Sequence, residues 1–208
     1  MATKSKEEVV QEFRMQSLQE AAMRVIARRG IAAATMQEIA DEAEVSKGTI
    51  YLYYKDRDEL VEKTFENAIR DLHMRLDTAL ESDGSFEQRL RGALHQLIGF
   101  FKDNGEFFRL YLSHRFPEGS PQQQHRQQRG CDVYRERLDK FAAILASAME
   151  TGEIRRMEPQ RLALLLTEGA NAIVVERVME QSSPPAEADV DLIMSIIFDG
   201  IRMDRSQS

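Results

Sequence analysis

Apolar residues recur at spacings of three and four along almost the whole chain, which predicts an all-helical protein. Leu18, Ala21, Ala22, Val25 and Ile26 fall on one face of a first helix over Lys6 to Arg29, with Gly30 as its stop. Short segments follow to about Asp56. From there Leu60, Val61, Thr64, Phe65, Ala68, Ile69, Leu72, Leu76 and Leu80 form one stripe, a helix of more than five turns. Asp83, Gly84 and Ser85 interrupt it, and Ser85 with Gln88 has capping-box spacing for the next helix, which carries Leu90, Leu94, Leu97, Ile98 and Phe101 and ends at Asp103, Asn104 and Gly105. A short aromatic helix over Glu106 to Ser113 leads to a loop with Pro117, Gly119 and Pro121. A long helix over Gln122 to Thr151 stops at Gly152. Pro159 opens another that reaches about Gln181, and the breaker Ser182 to Pro185 precedes a last helix over Asp189 to Met203.

Between residues 35 and 59 the cap signals crowd together. Thr35 with Glu38 forms a capping box before Met36, Ile39, Ala40 and Ala43, a helix of barely two turns. Ser46 offers a second N-cap with Ile50 and Tyr54 four apart behind it, and Asp56 with Glu59 offers a third. Two short helices joined by a tight turn and running at once into a third is the pattern of a helix-turn-helix. The stretch Thr49 to Tyr54 also consists of good strand formers, but a lone strand has no partner in a chain otherwise helical. On the second short helix Ser46, Lys47, Gly48, Thr49, Tyr51 and Tyr53 lie at the start and along the open face. Gly48 lets a ligand approach the backbone, a helix N-terminus favours phosphate, and lysine and tyrosine are suited to backbone oxygens beside a groove. Tyr54, four residues after Ile50, reads as packing.

Charge first argues against such a partner and then refines it. The 208 residues carry 28 Lys+Arg against 35 Asp+Glu, a net charge of −7, which excludes a protein that coats nucleic acid nonspecifically. Residues 45–57 are the exception, with Lys47, Lys55 and Arg57 against Asp56. That small basic patch suits a few phosphate contacts per subunit. No apolar run approaches the roughly 18 residues of a membrane span and the first residues lack a secretory apolar core, so a cytoplasmic protein is expected. The single cysteine, Cys131, reads as an idle thiol, and no Cys/His spacing suggests a metal. A His-x-x-x-His pair, a glycine-rich phosphate loop and a nucleophile–base–orienter set are all missing, so neither enzymatic activity nor a cofactor is expected.

The string VSKGTIYLYYKDRDEL at 45–60, preceded by Thr35 and the run Glu38, Ile39, Ala40, resembles the recognition-helix region of the tetracycline-repressor (TetR) family of bacterial regulators. The detailed likeness covers about residues 14–65. Beyond it only the layout is similar, with Gly152, Glu153 and Ile154 resembling the usual lead-in to the eighth helix. The resemblance implies about nine helices: a three-helix DNA-binding domain over 1–56, then a helical ligand-binding and dimerisation domain over 57–208. It implies a homodimeric repressor on a near-palindromic double-stranded operator, released by a small, largely apolar effector. Carried over by position, Thr35 and Gln37 contact DNA from the second helix. Lys47, Thr49, Tyr51 and Tyr53 sit in the groove, and Lys55 and Arg57 grip the backbone. The turn departs from the family in having Glu44 where glycine is usual; a left-handed conformation there costs a non-glycine roughly 1 kcal/mol.

In the remainder, six of the fifteen aromatic residues fall within 100–116. They form either a packed corner or the wall of an apolar pocket. As a pocket, Phe101, Phe108 and Tyr111 are its expected contacts, with His95 flanking the cluster and Tyr134 reaching it from the long helix; a small helical carrier or enzyme using this pocket is the alternative function, and an adaptor without DNA binding a third. Two apolar stripes close the chain, one with Leu166, Gly169, Ala170 and Ile173, the other with Ile193, Ile197 and Ile201. They either face the subunit's own core or meet a second copy in a four-helix interface, and the dimer is the expectation.

Overall fold

The computed structural model describes residues 5–108, 110, 121–179 and 185–201, without the side chains of 121–131, 200 and 201. Among these there are nine helices and no strand. They are α1 (Lys6–Arg29), α2 (Met36–Glu42), α3 (Lys47–Tyr51), α4 (Arg57–Leu80), α5 (Phe86–Asp103), a short α6 beginning at 105, α7 (Pro121–Glu150), α8 (Pro159–Met179) and α9 (Ala186–Ile201). α9 starts three residues before the expected Asp189. The chain divides into two compact units, Met1–Asp71 and Leu72–Ser208, the division falling inside α4.

In the first unit, α1 supplies Leu18, Ala21, Ala22, Val25 and Ile26 to a core completed by Met36, Ile39, Ala40, Ile50, Tyr54, Leu60 and Phe65. Its short helices are held by side chains rather than by length, since helices of five and seven residues are far below the length that is stable alone. Thr35 and Glu38 close the expected capping box on α2. Arg29 then reaches Glu38 at 2.9 Å, and Arg24 and Arg28 reach Glu42 at 2.6 and 2.5 Å, so three cations of α1 clamp α2. The Thr35 hydroxyl and Arg29 hold Glu38 below the usual carboxylate range, and Arg28 and Arg24 do the same for Glu42.

In the second unit, α5 packs against α8 and α9, and α7 against α8. Ser85 and Gln88 form the capping box expected at the start of α5, and the Phe86 N–H donates to Glu153 at 2.5 Å, tying that helix end to the turn after α7. Phe86 meets Phe198 of α9 at 6.2 Å between ring centres. The unit's part of α4 is fastened to α7 by Asp77, which takes Arg137 at 2.6 Å and Lys140 at 2.8 Å. Beside this cluster His73 is held neutral: burial, and then Arg137, push its pKa down from 6.5 to about 4, with Asp77 opposing. An unfolded chain therefore takes up a proton at this site before the folded one does. Stability from this site is complete above pH 6.5 and is lost as the pH falls towards 4, by up to roughly 3 kcal/mol. Denaturant titrations between pH 7 and 4 should show this slope, and His73→Gln should flatten it; an unchanged slope contradicts the assignment.

Candidate nucleic-acid interface

The turn between α2 and α3 is where the sequence departs from the family it resembles, and the backbone meets the expectation: Glu44 has φ 55°, the one positive φ outside glycine among the described residues. Val45 N–H donates to the Ala40 carbonyl at 3.0 Å and Glu44 N–H to that of Asp41 at 3.2 Å, the paired bonds of a Schellman motif with glutamate at its left-handed position. Glu44→Gly is expected to stabilise the unit by about 0.5–1 kcal/mol, seen as a higher urea midpoint; a lower midpoint would show that the glutamate side chain contributes more than the strain costs.

Ser46 caps α3, accepting from Thr49 N–H at 3.1 Å and sharing a hydrogen with the Thr49 hydroxyl at 2.8 Å. The helix is five residues long, not a strand, because Ile50 and Tyr54 both point into the core, at 0% and 1% exposure, while Tyr51 between them is half exposed. Beneath α3 lies a buried hydrogen-bond chain. Gln19 of α1 donates to the Tyr54 hydroxyl at 2.8 Å and accepts from the Asn67 amide of α4, and the Tyr54 hydroxyl reaches the Met15 carbonyl. Burial pushes the Tyr54 phenol above its ordinary range. The packing role expected for Tyr54 thus includes a polar one.

The expected contact residues fall into three groups. Lys47, Gly48, Tyr51 and Lys55 are exposed on α3 and the segment after it, and Gln37 is exposed on α2. Lys47 and Tyr51 are one turn apart on one face. Thr35, Ser46 and Thr49 have their hydroxyls in caps, and Tyr53 is half-buried. Arg57 is engaged within the unit. Its guanidinium donates to the Ile31 carbonyl in the turn after α1, its Nε is buried, and it pairs with Asp58 at 3.3 Å. As the first residue of α4 it is turned back onto α1, so it braces the unit. Sequence reasoning missed Leu52, which is 81% exposed between Tyr51 and Tyr53. Its signal is an apolar residue two positions past the inward Ile50 and so on the other side of the helix. Together these side chains offer two ammonium groups, a phenol and an aliphatic tip on one capped element, a set that can bond phosphate oxygens and touch base edges.

In the second unit Phe86, Phe101, Phe107, Phe108 and Phe198 are buried. Phe101, Phe107 and Phe108 are at most 2% exposed, and Phe101 meets Phe108 and Phe100 edge-on at 4.8 and 4.9 Å. Phe101 and Phe108 thus pack edge-on against each other. His95 does not join them; its Nε2 lies 3.2 Å from Glu187 of α9, which also pairs with Arg91, because α5 presents both residues to the first turn of α9. Tyr134 donates to Glu168 of α8 at 2.5 Å. Tyr111 lies outside the described residues, as does the side chain of Ile201. Of the expected dimer residues, Ala170, Ile193 and Ile197 are buried within the single chain, and Leu166 and Ile173 are partly covered. The outward apolar positions among the described residues are Leu164, Leu165 and Met179 on α8 and Leu192 and Ile196 on α9, with Gly169 exposed and open space where its Cβ would be. Among the described residues no helix is long and apolar enough to cross a membrane, and no cluster of metal-ligating side chains occurs.

Residues 18–64 match the family model described as bacterial regulatory proteins, tetR family. The chain is 23% identical to an HTH-type transcriptional regulator of Bacillus subtilis, YhgD, over 82% of this chain and 86% of that one. It is 28% identical to an HTH-type transcriptional repressor of Streptomyces coelicolor over 78% and 79%. In fold it is similar to the regulator FadR from Bacillus subtilis, solved in complex with stearoyl-CoA, with a TM-score of 0.69, 18% identity and coverage of 90% of this chain and 99% of that one.

Proposed function

The chain belongs to the tetR family of bacterial regulatory proteins, and we propose that it is a homodimeric repressor released from a near-palindromic operator by a small, largely apolar molecule. The observation that carries the DNA-binding reading is the capped helix α3, which holds Lys47 and Tyr51 outward over a buried Ile50 and Tyr54. Lys47, Tyr51 and Lys55 serve backbone oxygens and the groove, Gln37 assists from α2, and the hydroxyls of Thr35, Ser46 and Thr49 set the helix ends. The outward faces of α8 and α9 meet a second copy through Leu165, Gly169, Leu192 and Ile196. Two heads must then match grooves about 34 Å apart, and an effector in the second unit acts through α4, the helix both units share. The stearoyl-CoA held by the FadR neighbour makes long-chain acyl compounds the first effectors to try.

A mobility shift with the DNA flanking its own gene tests this. Dimeric protein should retard that DNA at low salt, and the absence of a retarded band overturns the reading. Leu52 is expected to touch a thymine methyl. Leu52→Ala should weaken operator binding about tenfold, replacing the matching thymine of both half-sites by uracil should do the same, and the two losses should not add. Full additivity at every thymine would remove Leu52 from the interface.

A further inference from the structure

Six buried side-chain atoms lack a hydrogen bond among the described residues: Nε of Arg57, Arg89 and Arg177, one carboxylate oxygen each of Asp77 and Asp189, and Nδ2 of Asn171. The first five belong to side chains engaged elsewhere. Arg57 and Arg89 donate through their other nitrogens, Asp77 holds Arg137 and Lys140, and Arg177 is paired with Asp189. Asn171 differs from them. It is 6% exposed, it lies in the middle of α8, and its side chain has no hydrogen bond or ion pair with any described residue. Leaving an amide buried and unbonded destabilises a protein by about 1–3 kcal/mol, whereas an aliphatic residue of the same size would be neutral or better. An asparagine is kept at such a position by something it bonds.

Its surroundings indicate what that is. Glu168, one turn before it, receives the Tyr134 hydroxyl of α7. Val178, two turns after it on nearly the same face, is the side chain closest to Gly105 at the start of α6, 3.5 Å from where a Cβ would lie. Asn171 therefore lies on the stretch of α8 between its contact with α7 and its contact with α6, and α6 carries the buried Phe107 and Phe108. A buried amide with no partner on the protein among the described residues is the kind of group that orients a small apolar ligand by a single hydrogen bond.

We propose that Asn171 is the hydrogen-bonding anchor of the effector site in the second unit, and that the effector is an apolar molecule bearing a carbonyl or amide group. This deepens the reading of a ligand-responsive regulator and rests on it, but it names the group on the protein and its chemical counterpart.

The test uses two probes of one shape, acetophenone and α-methylstyrene, in which the carbonyl oxygen of the first is a methylene in the second. Affinities are measured by displacement of a fluorescent apolar dye from the full chain and from Asn171→Leu. The preference of the wild type for the ketone, relative to that of the variant, should be about tenfold, the equivalent of one neutral hydrogen bond. The melting midpoint of the variant without probe should hold or rise. The same preference in both proteins overturns the proposal, as does failure of the wild type to bind the ketone up to its solubility. A lowered midpoint in the variant does so too, since it shows an amide bonded within the fold or to structural water. Operator binding, followed in parallel by mobility shift, is a separate readout: its absence defeats the regulator reading while the probe preference still decides the role of Asn171.

Discussion

Replacing Lys47, Tyr51 and Lys55 together by alanine is expected to weaken operator binding by at least about a thousandfold, because a dimer loses six contacts at once and each is of the order of 1 kcal/mol. The dependence of affinity on salt should become shallower by about four, one for each lysine removed from the two heads. Folding should be untouched. Tyr51 is half exposed and the Lys55 side chain is 86% exposed, so neither carries packing that holds α3, which depends on Ser46, Ile50 and Tyr54. The measurement is a pair of binding isotherms at two salt concentrations, with circular dichroism to show that the helices persist. Affinity within threefold of the wild type would mean that α3 is not the reading element. A loss of affinity with an unchanged salt slope would remove the two lysines from the phosphates while leaving Tyr51 in place.

Asp189→Ala is expected to have the largest effect on stability. Arg177 Nε and Asp189 Oδ2 are 2.6 Å apart, and the two side chains are only 8% and 11% exposed, so the pair joins α8 to the first turn of α9 away from water. Taking away the carboxylate removes a counter-charge from a buried guanidinium, which costs about 3 kcal/mol and lowers the melting midpoint by roughly 6–12 °C. Replacing both members by apolar residues, Arg177→Met with Asp189→Leu, should recover most of the loss, since the pair's own desolvation offsets much of its attraction. The two helices also carry the outward apolar residues, so sedimentation of Asp189→Ala should show a larger monomer fraction. A midpoint within a degree or two of the wild type would show that water reaches the pair.

The head was legible because its determinants are local. Capping boxes span four residues, and the inward pair Ile50 and Tyr54 follows directly from helical spacing, so the three short elements and the left-handed Glu44 could be read from a few neighbouring positions. The bracing of Arg57 was not legible for the same reason: its sequence neighbours mark it as part of a basic patch, while one of its partners, the Ile31 carbonyl, is 26 residues away. In the second unit the determinants are remote. Asp77 with Arg137, Glu153 with Phe86 and Arg177 with Asp189 join positions whose relation no local pattern records. α8 poses a different difficulty. Leu164, Leu165 and Leu166 are consecutive, so the helix is apolar around most of its circumference, and spacing alone does not separate the face turned to its own core from the one turned outward. Ala170 was thereby placed on the outer side.

The hydrogen-bond chain from Tyr54 through Gln19 to Asn67 bears on how a signal could be used. It links the segment after α3 to α1 and to α4 through directional hydrogen bonds, of which the one between Gln19 and Tyr54 is buried. A twist or tilt imposed on α4 at Asn67 is therefore not absorbed by slack between the helices, as a purely aliphatic contact could allow by sliding. The reading helix keeps its angle to its neighbours, and the head turns as one rigid piece. Under the proposed function the signal acts on the spacing and aim of intact heads, and a variant that loosens the chain, such as Gln19→Leu, is expected to blunt the response to effector before it harms the affinity for DNA.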